Sequence, residues 1–227
     1  MKAILLDALG TLLRLEPPAP LLKSELAARF GIEVSEPQAE RAIAAEIVYY
    51  RAHLDEGRDL DGLSALRARC AEVLRAALPA SDELSATGSA QLTEALLASL
   101  CFEPFADVAP ALADARHRGR RLVVVSNWDV SLHRVLERLG VGPLVDGVVT
   151  SAEAGARKPS PAIFELALRI AGADPSQAFH VGDSLEEDVA GARAAGITPI
   201  LLRRDGDSGP PGMRTIASLA ALARVTS

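Results

Sequence analysis

Rings and thiols are scarce in this chain. Aromatic residues make up 4% of its 227 positions, with one tryptophan, two tyrosines and five phenylalanines. The two cysteines, Cys70 and Cys101, show no metal-binding or redox spacing, so both are expected to be small buried hydrophobes in a reducing compartment. An excess of positive charge is also missing, the formal net charge being −6. A nucleic-acid surface needs a basic footprint and often stacking rings, so no nucleic-acid partner is expected. No stretch approaches the roughly 18 apolar residues of a membrane span, and no membrane partner is expected. The apolar run at the amino terminus is short and broken by Asp7, unlike a secretory leader, and a cytoplasmic location is predicted. Lysine is rare: Lys2, Lys23 and Lys158 stand against 21 arginines.

What is present suits a sizeable core. With 49% hydrophobic and 24% charged residues, the chain has material for one or two domains. Its pattern leaves the oligomeric state open. Ala3-Ile4-Leu5-Leu6 is an unalternated apolar run that fits a strand buried on both faces, as in a parallel sheet. Asp7 ends it, Gly10 permits a sharp turn, and Thr11 offers a hydroxyl. Three prolines in Pro17-Pro18-Ala19-Pro20 mark a linker. From about 21 to 100 the pattern is helical throughout. Leu22 and Leu26 share a face before Gly31. Ile43, Ile47 and Val48 mark a helix opening after Ser35. Leu63, Leu66, Cys70, Val73, Leu74 and Leu78 recur at helical spacing, and so do Leu92, Leu96 and Leu100. A second proline-marked joint falls at Cys101-Phe102-Glu103-Pro104.

Strands and helices then alternate. Asp107 can cap a helix running to Gly119. Leu122-Val123-Val124-Val125 reads as a strand ending in Ser126-Asn127, and a helix through Leu132, Val135, Leu136 and Leu139 follows. Gly147–Thr150 is a short strand. Ser160-Pro161 opens a helix through Ile163, Phe164, Ala167 and Ile170. Ala178–Val181 is a strand ending in Gly182-Asp183, and Ser184 and Glu187 are spaced as a capping box for a helix ending at Gly196. Thr198–Leu202 is the last strand expected, with Ile216, Leu219 and Leu222 on a closing helix. Gly206–Pro211 reads as a connector. The expected architecture is α/β, a doubly wound parallel sheet at 1–15 and 101–227, with a separate all-helical domain inserted at 16–100.

Polar residues thus stand after three strands: Asp7 and Thr11, Ser126 and Asn127, and Asp183 with Asp188. In a doubly wound sheet such strand ends converge on one edge. Each has a plainer reading, because Ser126-Asn127 and Asp183-Ser184 can simply cap helices and Asp188 can be a solvated helix residue. His180 lies within a strand and reads as a buried, hydrogen-bonded histidine. Trp128 suits the core or a cleft floor equally. Lys158 is harder to dismiss in a chain that otherwise prefers arginine.

Asp7-Ala8-Leu9-Gly10-Thr11-Leu12, Val125-Ser126-Asn127, Lys158-Pro159, and Val181-Gly182-Asp183-Ser184 with Asp188 together resemble the haloacid dehalogenase-like hydrolase superfamily. The resemblance covers about 1–14 and 101–227, and implies that 16–100 is a helical cap. It implies that Asp7 is the nucleophile forming an aspartyl-phosphate, and that Lys158, Ser126, Asn127 and Thr11 bind the phosphoryl group. It further implies a Mg²⁺ cofactor on Asp7, Asp183 and the backbone carbonyl of Leu9, with Asp188 in support, and a small phosphorylated molecule as substrate. Within the helical segment, Tyr49, Tyr50, Arg51, His53 and Arg58 are candidates for substrate selection from their chemistry alone.

The chain departs from the family at Leu9. Phosphatases of this family usually carry there a second aspartate that protonates the leaving oxygen and later activates water. Leucine transfers no proton, and losing a positioned acid–base costs about 10²–10⁴-fold. Dehalogenases of the family lack that aspartate and attack carbon without metal. Phosphonate-cleaving relatives replace it and use a cap lysine, for which Lys23 is the sole candidate by position. The remaining alternative is a phosphometabolite-binding or interaction protein that keeps the fold without turnover.

Overall fold

A computed structural model of the chain describes residues 2–225. They divide into two compact units, one running to Arg14 and resuming at Glu103, the other Leu15–Phe102.

The chain opens on β1 (Ala3–Leu6), buried at all four positions, and β2 (Leu13–Leu15). The second unit is helical: α1 (Pro18–Phe30), α2 (Glu36–His53), α3 (Leu60–Ala77), α4 (Asp82–Ala86) and α5 (Ser89–Ser99). The prolines expected to form a linker start α1 instead. Pro17 is its N-cap and Pro18 its first residue; the first-turn N–H groups have no partner inside a helix, so proline loses nothing there. Gly31 ends α1 at φ 68°, and Ser35 opens α2 in a capping box with Gln38. Leu22, Leu26, Ile43, Leu66, Leu74, Leu92 and Leu96 meet in one core. Val48, expected on the buried face of α2, is 72% exposed. Its neighbour Ile47 packs on that core, and consecutive helical residues point to different sides. Cys70 is buried as expected, but Cys101 is exposed, because α5 stops at Ser99 and leaves it outside the helical packing.

The chain returns through β3 (Phe102–Pro104), which pairs with β2 in a two-stranded ribbon where only a proline joint was expected. The remainder is α6 (Val108–His117), β4 (Arg121–Ser126), α7 (Leu132–Arg138), β5 (Gly147–Thr150), α8 (Ser151–Ala154), α9 (Pro161–Ala171), β6 (Ala178–Gly182), a π-helical turn Leu185–Ala190 running into α10 (Gly191–Ala194), β7 (Thr198–Leu202), β8 (Thr215–Ile216) and α11 (Leu222–Val225). The strands form a parallel sheet in the order β5-β4-β1-β6-β7-β8. Ile216 therefore belongs to a sixth strand, not to the closing helix. Asp107 does precede α6, but with helical backbone and no capping bond; its carboxylate turns to Arg204, Ser218 and the Leu219 N–H instead.

Alternation along β1 sends its side chains to both faces. Ala3 and Leu5 join Val123, Val125, Ile163, Phe164 and Ala167 in a core under α9. Ile4 faces the opposite way, beside Ala111 and Ala115 of α6 and Leu222 of α11. With helices on both faces and β1 flanked by β4 and β6, the direction of winding reverses at β1. The crevice beyond the carboxyl ends of such strands is where open α/β sheets place chemistry.

Candidate active site

In-register pairing brings three strand ends together. Leu6 lies opposite both Val124 of β4 and Val181 of β6, and the Asp7 N–H extends the ladder to the Val181 carbonyl at 2.9 Å. Asp7, Ser126 and Asp183 thus emerge side by side. Beyond Asp7 the chain folds tightly, the Ala8 carbonyl accepting from the N–H groups of Thr11, Leu12 and Leu13. Gly10 makes this possible twice over. Its φ is +82°, and a Cβ there would lie 2.1 Å from Asp183 Oδ2.

Lys158 is the centre of the cluster. Its buried ammonium donates to Asp7 Oδ1 and to Asp188 Oδ1, both at 2.6 Å. Ser126 Oγ donates to the same Asp7 oxygen at 3.1 Å. His180 Nε2 lies 2.8 Å from Asp188 Oδ1, and since an ionised carboxylate only accepts, that nitrogen carries the proton. Phe164 meets the His180 ring edge-on, with centroids 4.9 Å apart. Asp188 Oδ2 accepts from the Ser184 N–H at 3.0 Å. The capping bond back to Ser184 thus comes from Asp188 and not from the expected Glu187, whose own N–H donates to Ser184 Oγ. The π-helical turn brings Asp188 round to this position. Gly182 leaves room for it, because a Cβ there would sit 2.1 Å from Asp188 Cγ.

Burial dominates the electrostatics. It pushes Asp7 up to about 7, against the pull of Lys158 and with added repulsion from Asp188. It works against the Lys158 charge as well, but Asp7 and Asp188 outweigh it and hold the ammonium above its usual range. Asp188 is also opposed by burial, yet Lys158 and His180 keep it below the ordinary carboxylate range. Burial raises Asp183, with help from Asp188, and lowers His180. Three carboxylates consequently face one ammonium. One oxygen from each of Asp7, Asp183 and Asp188 falls within 4.8 Å of the others. Hard oxygen donors in excess of the one ammonium suit a small divalent cation such as Mg²⁺.

The other expected site residues fall into two groups. Thr11 is fully buried, and its hydroxyl oxygen has no hydrogen-bond partner among the described residues. Leu9 is half-buried in the turn, outside the hydrophobic core. Asn127 differs from expectation: its carboxamide turns onto the backbone of Lys158, Oδ1 accepting from the N–H at 2.8 Å and Nδ2 donating to the carbonyl at 3.0 Å. That side chain positions Lys158, with Pro159 joined by a cis peptide bond. Trp128 is buried and belongs to the core. In the helical unit, Tyr49 stacks on His53 at 4.1 Å and takes a bond from Arg69, Tyr49 and Tyr50 pack on the helical core, and Arg51, Arg58 and Lys23 are exposed. Sequence reasoning missed Arg203 and Arg204, which bond the carbonyls of Asp183 and Thr11; no local pattern marks them.

Fold and site together define a Rossmann-like α/β protein with an acidic, lysine-bridged centre at its switch point. The chain belongs to the haloacid dehalogenase-like hydrolase family, whose model matches residues 1–196. It is 30% identical over 224 residues to a phosphoserine phosphatase of Thermus thermophilus, covering 90% of this chain and 89% of that one. Over 103 residues it is 40% identical to a glyceraldehyde 3-phosphate phosphatase of Methanopyrus kandleri, covering 45% of this chain and 44% of that one, so that match spans under half of either protein. The crystal structure of a 2-haloacid dehalogenase from Pseudomonas syringae is similar at a TM-score of 0.69 and 25% identity, covering 99% of this chain and 97% of that one. No helix among the described residues is long and apolar enough to cross a membrane.

Proposed function

We propose that this hydrolase is a Mg²⁺-dependent phosphatase acting on a small phosphorylated molecule through an aspartyl-phosphate on Asp7. The observation that carries the reading is the buried acidic trio bridged by Lys158: a metal-free attack on carbon has no use for three carboxylates in one place. The phosphatase-named relatives support it.

In this reading an Asp7 oxygen attacks phosphorus, and the bond to the ester oxygen breaks with its electron pair on the leaving group. Water then cleaves the acyl-phosphate, releasing phosphate and restoring Asp7. Lys158 and Ser126, both on Asp7 Oδ1, aim the other carboxylate oxygen and stand close to the charge that develops on the phosphoryl group. The Thr11 hydroxyl donates to the same group. Asp7, Asp183 and the Leu9 carbonyl would hold Mg²⁺, with Asp188 behind them, and the ion when bound would supply charge neutralisation between two anionic reactants. The helical unit is assigned the cap's task of substrate selection. Leu9 supplies no proton, so the leaving group departs unassisted from that position.

A second reading, carbon–halogen hydrolysis, is favoured by Leu9 and by the likeness to a dehalogenase. A screen of phosphorylated metabolites and haloacids, each with Mg²⁺ and with chelator, separates the two. Phosphate release that chelator abolishes is expected; halide release in chelator would replace the proposal with the second reading.

A further inference from the structure

Arg203 and Arg204 follow directly on the last residue of β7, at the same edge of the sheet as the candidate active site. Each reaches a different turn of that site. Arg203 Nη1 donates to the Asp183 carbonyl at 2.9 Å, in the loop after the neighbouring strand β6. Arg204 Nη2 donates to the Thr11 carbonyl at 2.6 Å, in the turn after β1, two strands and hence about 10 Å across the sheet. Only a long side chain spans that gap, and its planar fork of donors can meet the Thr11 carbonyl and a carboxylate together at the far end.

Arg204 is held rigidly while it does so. Its guanidinium lies 3.6 Å from the centroid of the Phe105 ring and meets both Asp107 oxygens, at 3.1 and 3.2 Å. Asp107 is fixed in turn by Ser218 Oγ at 2.6 Å and the Leu219 N–H at 2.8 Å. The Phe105 N–H bonds the Leu12 carbonyl at 3.1 Å, so two successive carbonyls of the nucleophile turn are anchored from one place. Charge-assisted bonds of this kind are stronger and more directional than neutral ones.

We propose that Arg203 and Arg204 are positioning residues, a two-armed clamp that sets the spacing between the Asp7–Leu13 turn and the Asp183–Asp188 loop. Neither touches the reacting atoms; each acts through a backbone carbonyl. Their part in catalysis rests on the phosphatase reading, whereas the clamp itself does not.

Hydrogen–deuterium exchange of the metal-free protein tests the clamp, and calorimetry with MgCl₂ and steady-state kinetics test its use. Arg204→Met, which keeps an apolar stem over Phe105, is expected to speed exchange in residues 8–13 and to lower kcat by about 10–100-fold with KM little changed. Arg203→Met is expected to speed exchange in residues 183–188 and to weaken Mg²⁺ binding by about 10–100-fold. Arg203→Lys recovers part of the loss, since one donor serves one carbonyl. Arg204→Lys does not, since a single ammonium cannot serve Thr11 and both Asp107 oxygens. If Arg204→Met fails to fold, Asp107→Asn loosens the anchor with the guanidinium still present, and should open residues 8–13 to a smaller degree. Unchanged exchange in both segments overturns the proposal, as does faster exchange spread evenly over the sheet with a matching fall in Tm. A wild-type protein that neither binds Mg²⁺ nor releases phosphate would refute the phosphatase reading, and the exchange experiment alone would then decide the clamp.

Discussion

At the scale of single residues, Asp7 is held by Ser126 and Lys158 while Leu9, two positions on, is half-buried and chemically inert. Asp7→Asn keeps the size of the side chain and removes the proposed nucleophile, so circular dichroism should be unchanged and turnover absent. Retained turnover in the folded variant would exclude covalent catalysis. On the phosphatase proposal, Leu9 predicts a steep leaving-group dependence: aryl and acyl phosphates expel stable anions, whereas sugar phosphates would have to expel an alkoxide without help. Leu9→Asp should raise alkyl-phosphate turnover by up to about 10²–10⁴-fold, and the half-exposed position limits the cost of placing a carboxylate there. Equal wild-type rates for sugar and aryl phosphates, with chemistry rate-limiting, would mean that another group gives the proton. Asp7 also makes stability depend on pH. Its value of about 7 lies above the ordinary 3.8, so in metal-free protein its stabilising contribution is complete below about 4 and is lost as pH rises through 7. Urea melts in excess chelator should show the midpoint falling from pH 5.5 to pH 8 by more in the wild type than in Asp7→Asn, which shares the opposite contribution of His180; an equal change in the two proteins would show that Asp7 does not titrate in this range.

At the scale of elements, the site depends on two turns that fit closely around their own carboxylates. Gly182, the last residue of β6, stands against Asp188, and Gly10 stands against Asp183 at a φ that side chains avoid. Gly182→Ala should therefore displace Asp188 from Lys158 and Ser184, costing about 1–3 kcal/mol by overpacking and weakening Mg²⁺ binding. A Gly182→Ala protein with unaltered urea midpoint and Mg²⁺ affinity would mean that Asp188 relaxes freely. The π-helical turn belongs to the same arrangement: it directs Asp188 back to the Ser184 N–H and to Lys158, so one side chain caps the helix and holds Lys158 in the acidic cluster.

At the scale of the whole molecule, three carboxylates gather around one ammonium, so a bound cation should stabilise the fold. Mg²⁺ binding only the folded state should raise stability by about 2.7 kcal/mol at a hundredfold excess over its Kd, read as a Tm increase that EDTA reverses. Asp183→Ala should remove that increase while leaving the metal-free Tm equal or higher, because it deletes one of the repelling carboxylates. An equal Mg²⁺ response in the variant would locate the cation elsewhere. The sheet itself should tolerate these changes, since its centre is packed by apolar residues of β1, β4 and α9.

Local signals carried much of this structure in advance. Long apolar runs bounded by glycine, proline and capping residues specify β1, β4, β6 and β7 and the main helices, because the forces that form them act between near neighbours. The identity of the polar residues at three strand ends followed from the same runs. Partners distant in sequence were decided only by tertiary packing. β2, β3 and β8, of two or three residues each, exist through pairing and leave no periodic trace. The prolines of α1 read as a break until their place in the first turn is known. Lys158 and Asp7 are 151 positions apart, and Arg204 and Thr11 are 193 apart. Asn127 turning to the backbone of Lys158, Asp188 taking the cap bond from Glu187, and the arginine clamp all depend on strand order and register. A sequence lists the donors and acceptors; which of them meet is settled when the sheet closes and burial makes every unpaired polar group costly.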